Sequence, residues 1–120
     1  MPKYAAKVDA NQPEIVQAFR AMGCSVSHTH TAGEGFPDLA VGFKGAHGPV
    51  TVLVEVKDGS KPLSGKQLTG AQKIWHREFQ GAKAIVESVE QVAELVNSYR
   101  RGSRAKGRTT LNLPVGTGGS

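Results

Sequence analysis

Between Thr51 and Lys57 the chain alternates in a way that leaves few choices of fold. Val52, Val54 and Val56 occupy one parity, and Leu53, Glu55 and Lys57 the other. A β-strand sends residues i and i+2 to the same face, so the valines face one apolar layer while Glu55 and Lys57 share the opposite surface. An unpaired charge in such an apolar strand costs several kcal/mol unless a partner compensates it. A second acidic group in strand-like sequence is Asp38, within Gly35-Phe36-Pro37-Asp38-Leu39. If the strand beginning at Asp38 pairs beside Val50 to Lys57 through the Gly- and Pro-containing connection Lys44 to Pro49, two carboxylates and one ammonium converge.

Carboxylates held close repel each other, and a hard divalent cation is the usual compensation. Mg²⁺ needs only one or two of them, with water and phosphate oxygens completing its shell. Such a site suits phosphodiester hydrolysis, where the cation lowers the pKa of a bound water and offsets charge on the phosphate. Lys57 then orients the attacking water and stabilises developing negative charge.

Pro37-Asp38 followed by Glu55-Val56-Lys57 resembles the signature of the PD-(D/E)XK nuclease superfamily. Gly35-Phe36-Pro37-Asp38-Leu39 with Leu68-Thr69-x-x-Gln72-x-x-Trp75 resembles its virus-type replication-repair nuclease (VRR-NUC) branch, related to Holliday junction resolvases, over roughly Glu14 to Val96. The resemblance implies a restriction-endonuclease-like α/β core, a mixed sheet of about four strands flanked by helices. It implies Mg²⁺ or Mn²⁺ held by Asp38, Glu55 and the Val56 carbonyl, with Lys57 and Gln72 catalytic and Glu14 near the metal. The expected activity is structure-selective cleavage of DNA in phage-type replication, repair or packaging, by a homodimer or other homo-oligomer.

At 120 residues the chain is long enough for one modest core. No run approaches a membrane span, and Met1-Pro2-Lys3-Tyr4 lacks the apolar core of a signal peptide, so the expected location is the cytoplasm, with no membrane partner. Cys24 is the only cysteine, which excludes an internal disulfide and reads as a small buried residue at a helix end. The formal charge of +5 is uneven. Acidic and basic residues cancel up to Tyr99, and the excess sits in Arg100, Arg101, Arg104, Lys106 and Arg108. This divides the chain into a domain over 1–99 and a basic, disordered tail over 100–120 that follows phosphates without reading bases.

Along the chain, Met1 to Ala10 reads as a loose arm. Asn11-x-x-Glu14 predicts a capping box, with Ile15, Ala18, Phe19 and Met22 at helical spacing and Gly23 as the stop. Glu14 thus has two readings, helix cap or metal neighbour. Ser25 to Thr31 predicts a first strand, on which His28 and His30 share a face either as polar groove residues or as a histidine metal pair. Glu34 lies in the turn before Phe36. Strands follow at Asp38 to Phe43 and Val50 to Lys57. Thr69 and Gln72 predict a second capping box, so Gln72 also has two readings, cap or active-site amide, and Ala71, Ile74, Trp75 and Phe79 form an apolar stripe on a helix that ends at Gly81. Lys66 and Lys73 flank this turn as candidate phosphate contacts. Ala84 to Val86 predicts a short strand, and Ser88-x-x-Gln91 opens a third helix with Val89, Val92, Ala93 and Val96 inward. The order is α-β-β-β-α-β-α.

Two other classes of function are compatible with these residues. One is a non-catalytic nucleic-acid-binding protein on a nuclease-like fold; the other is a small interaction module with an incidental basic end. Metal-dependent cleavage separates the first expectation from both.

Overall fold

The computed structural model describes residues 9–102. The expected order is found: α1 (Gln12–Ala21), β1 (Ser25–His28), β2 (Leu39–Gly45), β3 (Gly48–Val56), α2 (Gly70–Glu78), β4 (Lys83–Val86) and α3 (Val89–Arg101), with 3₁₀ turns at His30–Ala32 and Leu63–Lys66. The strands form one mixed sheet in the order β1-β2-β3-β4. The first two pairings are antiparallel and β3–β4 is parallel, so the fold is α/β.

The valine parity of β3 makes the main core. Val52, Val54 and Val56 are fully buried beside Leu39, Val41, Ala84 and Val86 of the neighbouring strands. Ile15, Val16 and Phe19 of α1 and Val92, Leu95 and Val96 of α3 close over them. Burying each such side chain contributes about 1.5–3 kcal/mol, enough for this layer to outweigh the cost of sequestering one hydrogen-bonded carboxyl on the other face. That other face carries Glu55 and Lys57, only 2% and 9% exposed, and α2 lies against it.

Several local expectations are corrected. The first strand ends at His28, and His30 enters a 3₁₀ turn, because Thr29 N–H and Oγ1 turn to bond the Asp38 and Pro37 carbonyls. The expected Lys44 to Pro49 connection is a two-residue turn, Ala46-His47, between paired Gly45 and Gly48. Pro49 is accommodated because β4 pairs with β3 only from Leu53 onward, so that among the described residues this edge is free of ladder bonds. The turn's Ala46 N–H donates to Tyr99 O at 3.0 Å, which docks the hairpin tip on α3.

The stripe on α2 is turned away from the sheet. Ala71 and Ile74 are exposed, Trp75 and Phe79 are half-buried and stacked at 4.4 Å, and the one buried residue of this helix is His76. The helix stops at Glu78, three residues before Gly81, where the Lys83 ammonium caps it by donating to the His76 and Phe79 carbonyls, the latter at 2.6 Å. In contrast, α3 runs past Tyr99 to Arg101 and ends at Gly102, whose left-handed backbone (φ 75°) suits glycine. Arg100 and Arg101 are therefore helical, as cations near a helix C-terminus are favoured to be. Arg104, Lys106, Arg108 and the rest of the expected tail lie outside the described residues. Among the described residues no helix is long and apolar enough to cross a membrane.

Candidate functional site

The register of the β2–β3 hairpin, with Leu39 opposite Val54, brings the residue just before β2 level with Glu55. Asp38 is that residue. Its Oδ2 accepts a 2.8 Å hydrogen bond from Val56 N–H, and Thr29 N–H holds its carbonyl from the β1 side at 2.8 Å. What Val56 brings to Asp38 is thus its amide, where the expectation concerned its carbonyl.

From the opposite side comes α2. The turn before Asp38 packs directly on the first turn of this helix, and Gly35 makes the approach possible. Its φ is +80°, and a Cβ there would lie 2.4 Å from the Ala71 carbonyl oxygen. The capping box is complete: Thr69 Oγ1 accepts from Gln72 N–H at 3.1 Å while Gln72 Oε1 accepts from Thr69 N–H at 2.9 Å. The same amide also reaches the sheet. Gln72 Oε1 accepts from Lys57 Nζ at 3.0 Å, and Gln72 Nε2 donates to Glu55 Oε2 at 2.9 Å. The two readings of Gln72 therefore coexist in one side chain. Lys57 Nζ lies 3.9 Å from Glu55 Oε2, completing a compact Asp38, Glu55, Lys57 and Gln72 cluster.

Its electrostatics follow from enclosure. Burial first, and then the charge of Glu55, push Asp38 up to about 7, against the Val56 amide and Lys57, which lower it. Burial likewise pushes Glu55 up to about 7, with Lys57 opposing and Asp9 adding to the rise. The two carboxyl groups lie close enough that the protonation of each depends on the other, so they titrate as a unit. A carboxylate pair that retains a proton near neutrality has oxygen donors that a hard cation satisfies by displacing that proton. The residues present therefore fit Mg²⁺ or Mn²⁺ as an oxygen-ligated ion, although among the described residues no cluster of three or more His, Cys, Asp or Glu groups is arranged around such a point.

Glu14 is not brought to this pair. It is exposed on α1 and lines a separate cleft with Asp58, Ser60, Glu87 and Glu90. Its expected capping partner, Asn11, makes no side-chain cap bond and instead donates Nδ2 to the carbonyls of Lys57 (3.1 Å) and Glu87 (3.2 Å). This ties the start of α1 to the chain just beyond β3 and β4. The acidic residue whose charge does reach Glu55 is Asp9, which also lies 3.5 Å from Lys61. The loose-arm expectation missed it, since nothing local in Val8-Asp9-Ala10 marks a tertiary contact.

His76 is the other residue that sequence reasoning missed. It follows Gln72 by one helical turn, the spacing that shares a helix face, and that periodicity is the signal that would have found it. His28 and His30 approach edge to face at 6.3 Å, and no metal-holding group among the described residues includes them. Of the expected phosphate contacts, Lys66 is paired with Glu87 at 3.1 Å, and Lys73 is exposed in the first turn of α2. Arg100 donates to Met22 O at 2.8 Å and lies over the Phe43 ring, while Arg101 is exposed. Glu34 is exposed and lines a shallow groove with Ile74, Trp75, Glu78 and Phe79.

No protein-family model, curated protein or solved structure matches the chain.

Proposed function

We propose that the chain is a metal-dependent nuclease that hydrolyses phosphodiester bonds in DNA, of the PD-(D/E)XK type that its motifs resemble. The observation that carries the reading is the convergence of Asp38, Glu55, Lys57 and Gln72, drawn from two strands and a helix, with both carboxyl groups pushed up to about 7. A purely structural cluster would be more stable with apolar residues of similar volume in place of buried ionisable ones.

When bound, Mg²⁺ or Mn²⁺ supplies an acidified water and charge compensation at the phosphate. Asp38 and Glu55 provide the oxygens that hold it, with the Val56 carbonyl as the further donor implied by the resemblance. Gln72 fixes Glu55 through Nε2 and the Lys57 ammonium through Oε1, so the acceptor and the cation keep a constant separation. Lys57 is left to orient the attacking water and to stabilise charge developing on the phosphate. Structure-selective action in phage-type replication, repair or packaging, and assembly as a homodimer, belong to the same proposal.

The test is cleavage of labelled junction, flap, single-stranded and duplex DNA with Mg²⁺, with Mn²⁺ and with chelator. Cleavage that requires the ion and falls about 100-fold or more in each of Asp38→Asn, Glu55→Gln and Lys57→Met is expected. Because these groups act as one unit, the double variant Asp38→Asn with Glu55→Gln should be little worse than either single. DNA binding without cleavage by the wild-type protein would leave the non-catalytic alternative.

A further inference from the structure

We propose that His76 is a positioning residue for Glu55, holding Glu55 Oε1 as Gln72 holds Glu55 Oε2, so that one face of α2 grips both carboxylate oxygens. The inference rests on the nuclease reading above. The His76 side chain is fully buried, and its Nε2 lies 3.9 Å from Glu55 Oε1. Among the described residues no N–H or O–H donor reaches that oxygen, and neither ring nitrogen of His76 has a hydrogen-bond partner. A buried polar ring with both nitrogens unpartnered costs stability, and an apolar side chain of similar size would be favoured there by packing alone.

The imidazole therefore occupies a position where stability selects against it and where a polar atom of the site is its neighbour. A charge-assisted N–H···O bond has a length of about 2.7–2.9 Å, so a movement of about 1 Å closes the gap. With both oxygens engaged from α2, the remaining lone pairs of Glu55 are confined to the side facing Asp38. Outer groups that orient a ligating carboxylate in this way typically tune metal affinity by 10- to 100-fold.

The experiment measures Mn²⁺ binding by calorimetry without DNA, alongside thermal unfolding, in the wild-type protein and in His76→Leu, His76→Gln and His76→Asn. The Gln amide nitrogen mimics Nε2 of the ring, whereas the Asn amide nitrogen mimics Nδ1. Expected is a loss of roughly 10- to 100-fold in Mn²⁺ affinity in His76→Leu with an unchanged or raised Tm, and recovery in His76→Gln but not in His76→Asn. Equal affinity in wild type and His76→Leu overturns the positioning role while leaving the nuclease reading intact. A Tm that falls together with affinity identifies the ring as packing and also overturns it. Should His76→Leu not fold, equal affinities of His76→Gln and His76→Asn overturn it in the same way. A wild-type protein that binds no Mn²⁺ overturns the nuclease reading, and this inference with it.

Discussion

Gln72 Nε2 donates to Glu55 Oε2 at 2.9 Å, which makes the N-terminal turn of α2 a part of the carboxylate site. The same residue caps the helix with Thr69, so its two tasks are separable by mutation. Thr69→Ala loses only the cap and should cost about 0.5–2 kcal/mol of stability while leaving cleavage near the wild-type rate. Gln72→Ala loses the cap and the hold on Glu55 and Lys57, and its single-turnover rate should fall by about 100-fold or more. Chemical denaturation with parallel single-turnover kinetics checks both, and equal rate losses in the two variants would reduce Gln72 to a cap.

The carboxyl pair makes stability without metal depend on pH. Both groups have folded values raised to about 7, above an unfolded value near 4, so their contribution is full below about pH 4 and is lost as pH rises through 7. His76 acts in the opposite sense. Burial first, and then the Lys83 and Lys57 charges, lower it to about 4, so its contribution is present above about pH 6.5 and is lost as pH falls through 4. Above about pH 6.5 the His76 contribution is complete, while that of the pair still falls. The Tm of the metal-free wild type should therefore drop by several degrees from about pH 6.5 to 8.5, and that of Asp38→Asn with Glu55→Gln much less. Saturating Mg²⁺ should flatten the wild-type curve. Equal drops in both proteins would disconnect the pair from the effect.

Gly35 is the contact through which the Asp38 turn meets α2. Gly35→Ala combines a left-handed φ of +80° with a Cβ at 2.4 Å from Ala71 O, so the turn and helix must separate. Destabilisation of about 1–3 kcal/mol is expected, together with a loss of cleavage larger than the unfolded fraction explains, because Asp38 and Gln72 move apart. Urea titration and activity at a temperature where the variant is folded test this. Gly33→Ala, whose Cβ meets nothing within 4 Å, keeps the positive φ without the contact and should retain the site geometry.

With Arg100 and Arg101 built into α3, the basic groups left beyond residue 102 are Arg104, Lys106 and Arg108. If all three neutralise phosphates, removing residues 103–120 should make the slope of log binding constant against log salt shallower by about 3 on duplex DNA, an upper bound for partial engagement. Fluorescence titrations of full-length and truncated Asp38→Asn protein, in which cleavage is expected to be lost, measure the slope. Identical slopes would leave this segment without a part in DNA binding.

The β3 parity, the hairpin that sets Asp38 against Glu55, and the caps at Thr69 and Ser88 were all legible in the sequence, since each rests on a local spacing or on two strands joined by one short turn. Ser88 Oγ accepts from Gln91 N–H as its spacing predicts. Asn11 shows where that legibility stops. Its spacing to Glu14 reads as a local cap, yet its amide bonds the Lys57 and Glu87 carbonyls, 46 and 76 residues away. A short polar side chain can satisfy either a local or a distant partner at similar cost, and the choice falls to whichever backbone groups the packed sheet leaves open. The same competition rotates α2. An apolar stripe read from its sequence would face the sheet, but the sheet face that α2 covers carries Glu55 and Lys57, so Gln72 and His76 turn inward and Ile74 and Trp75 turn out. Sequence periodicity determined that this chain would make a helix and a charged strand face. The tertiary structure decided how they meet, because a buried carboxyl needs hydrogen-bond partners more than an indole needs burial.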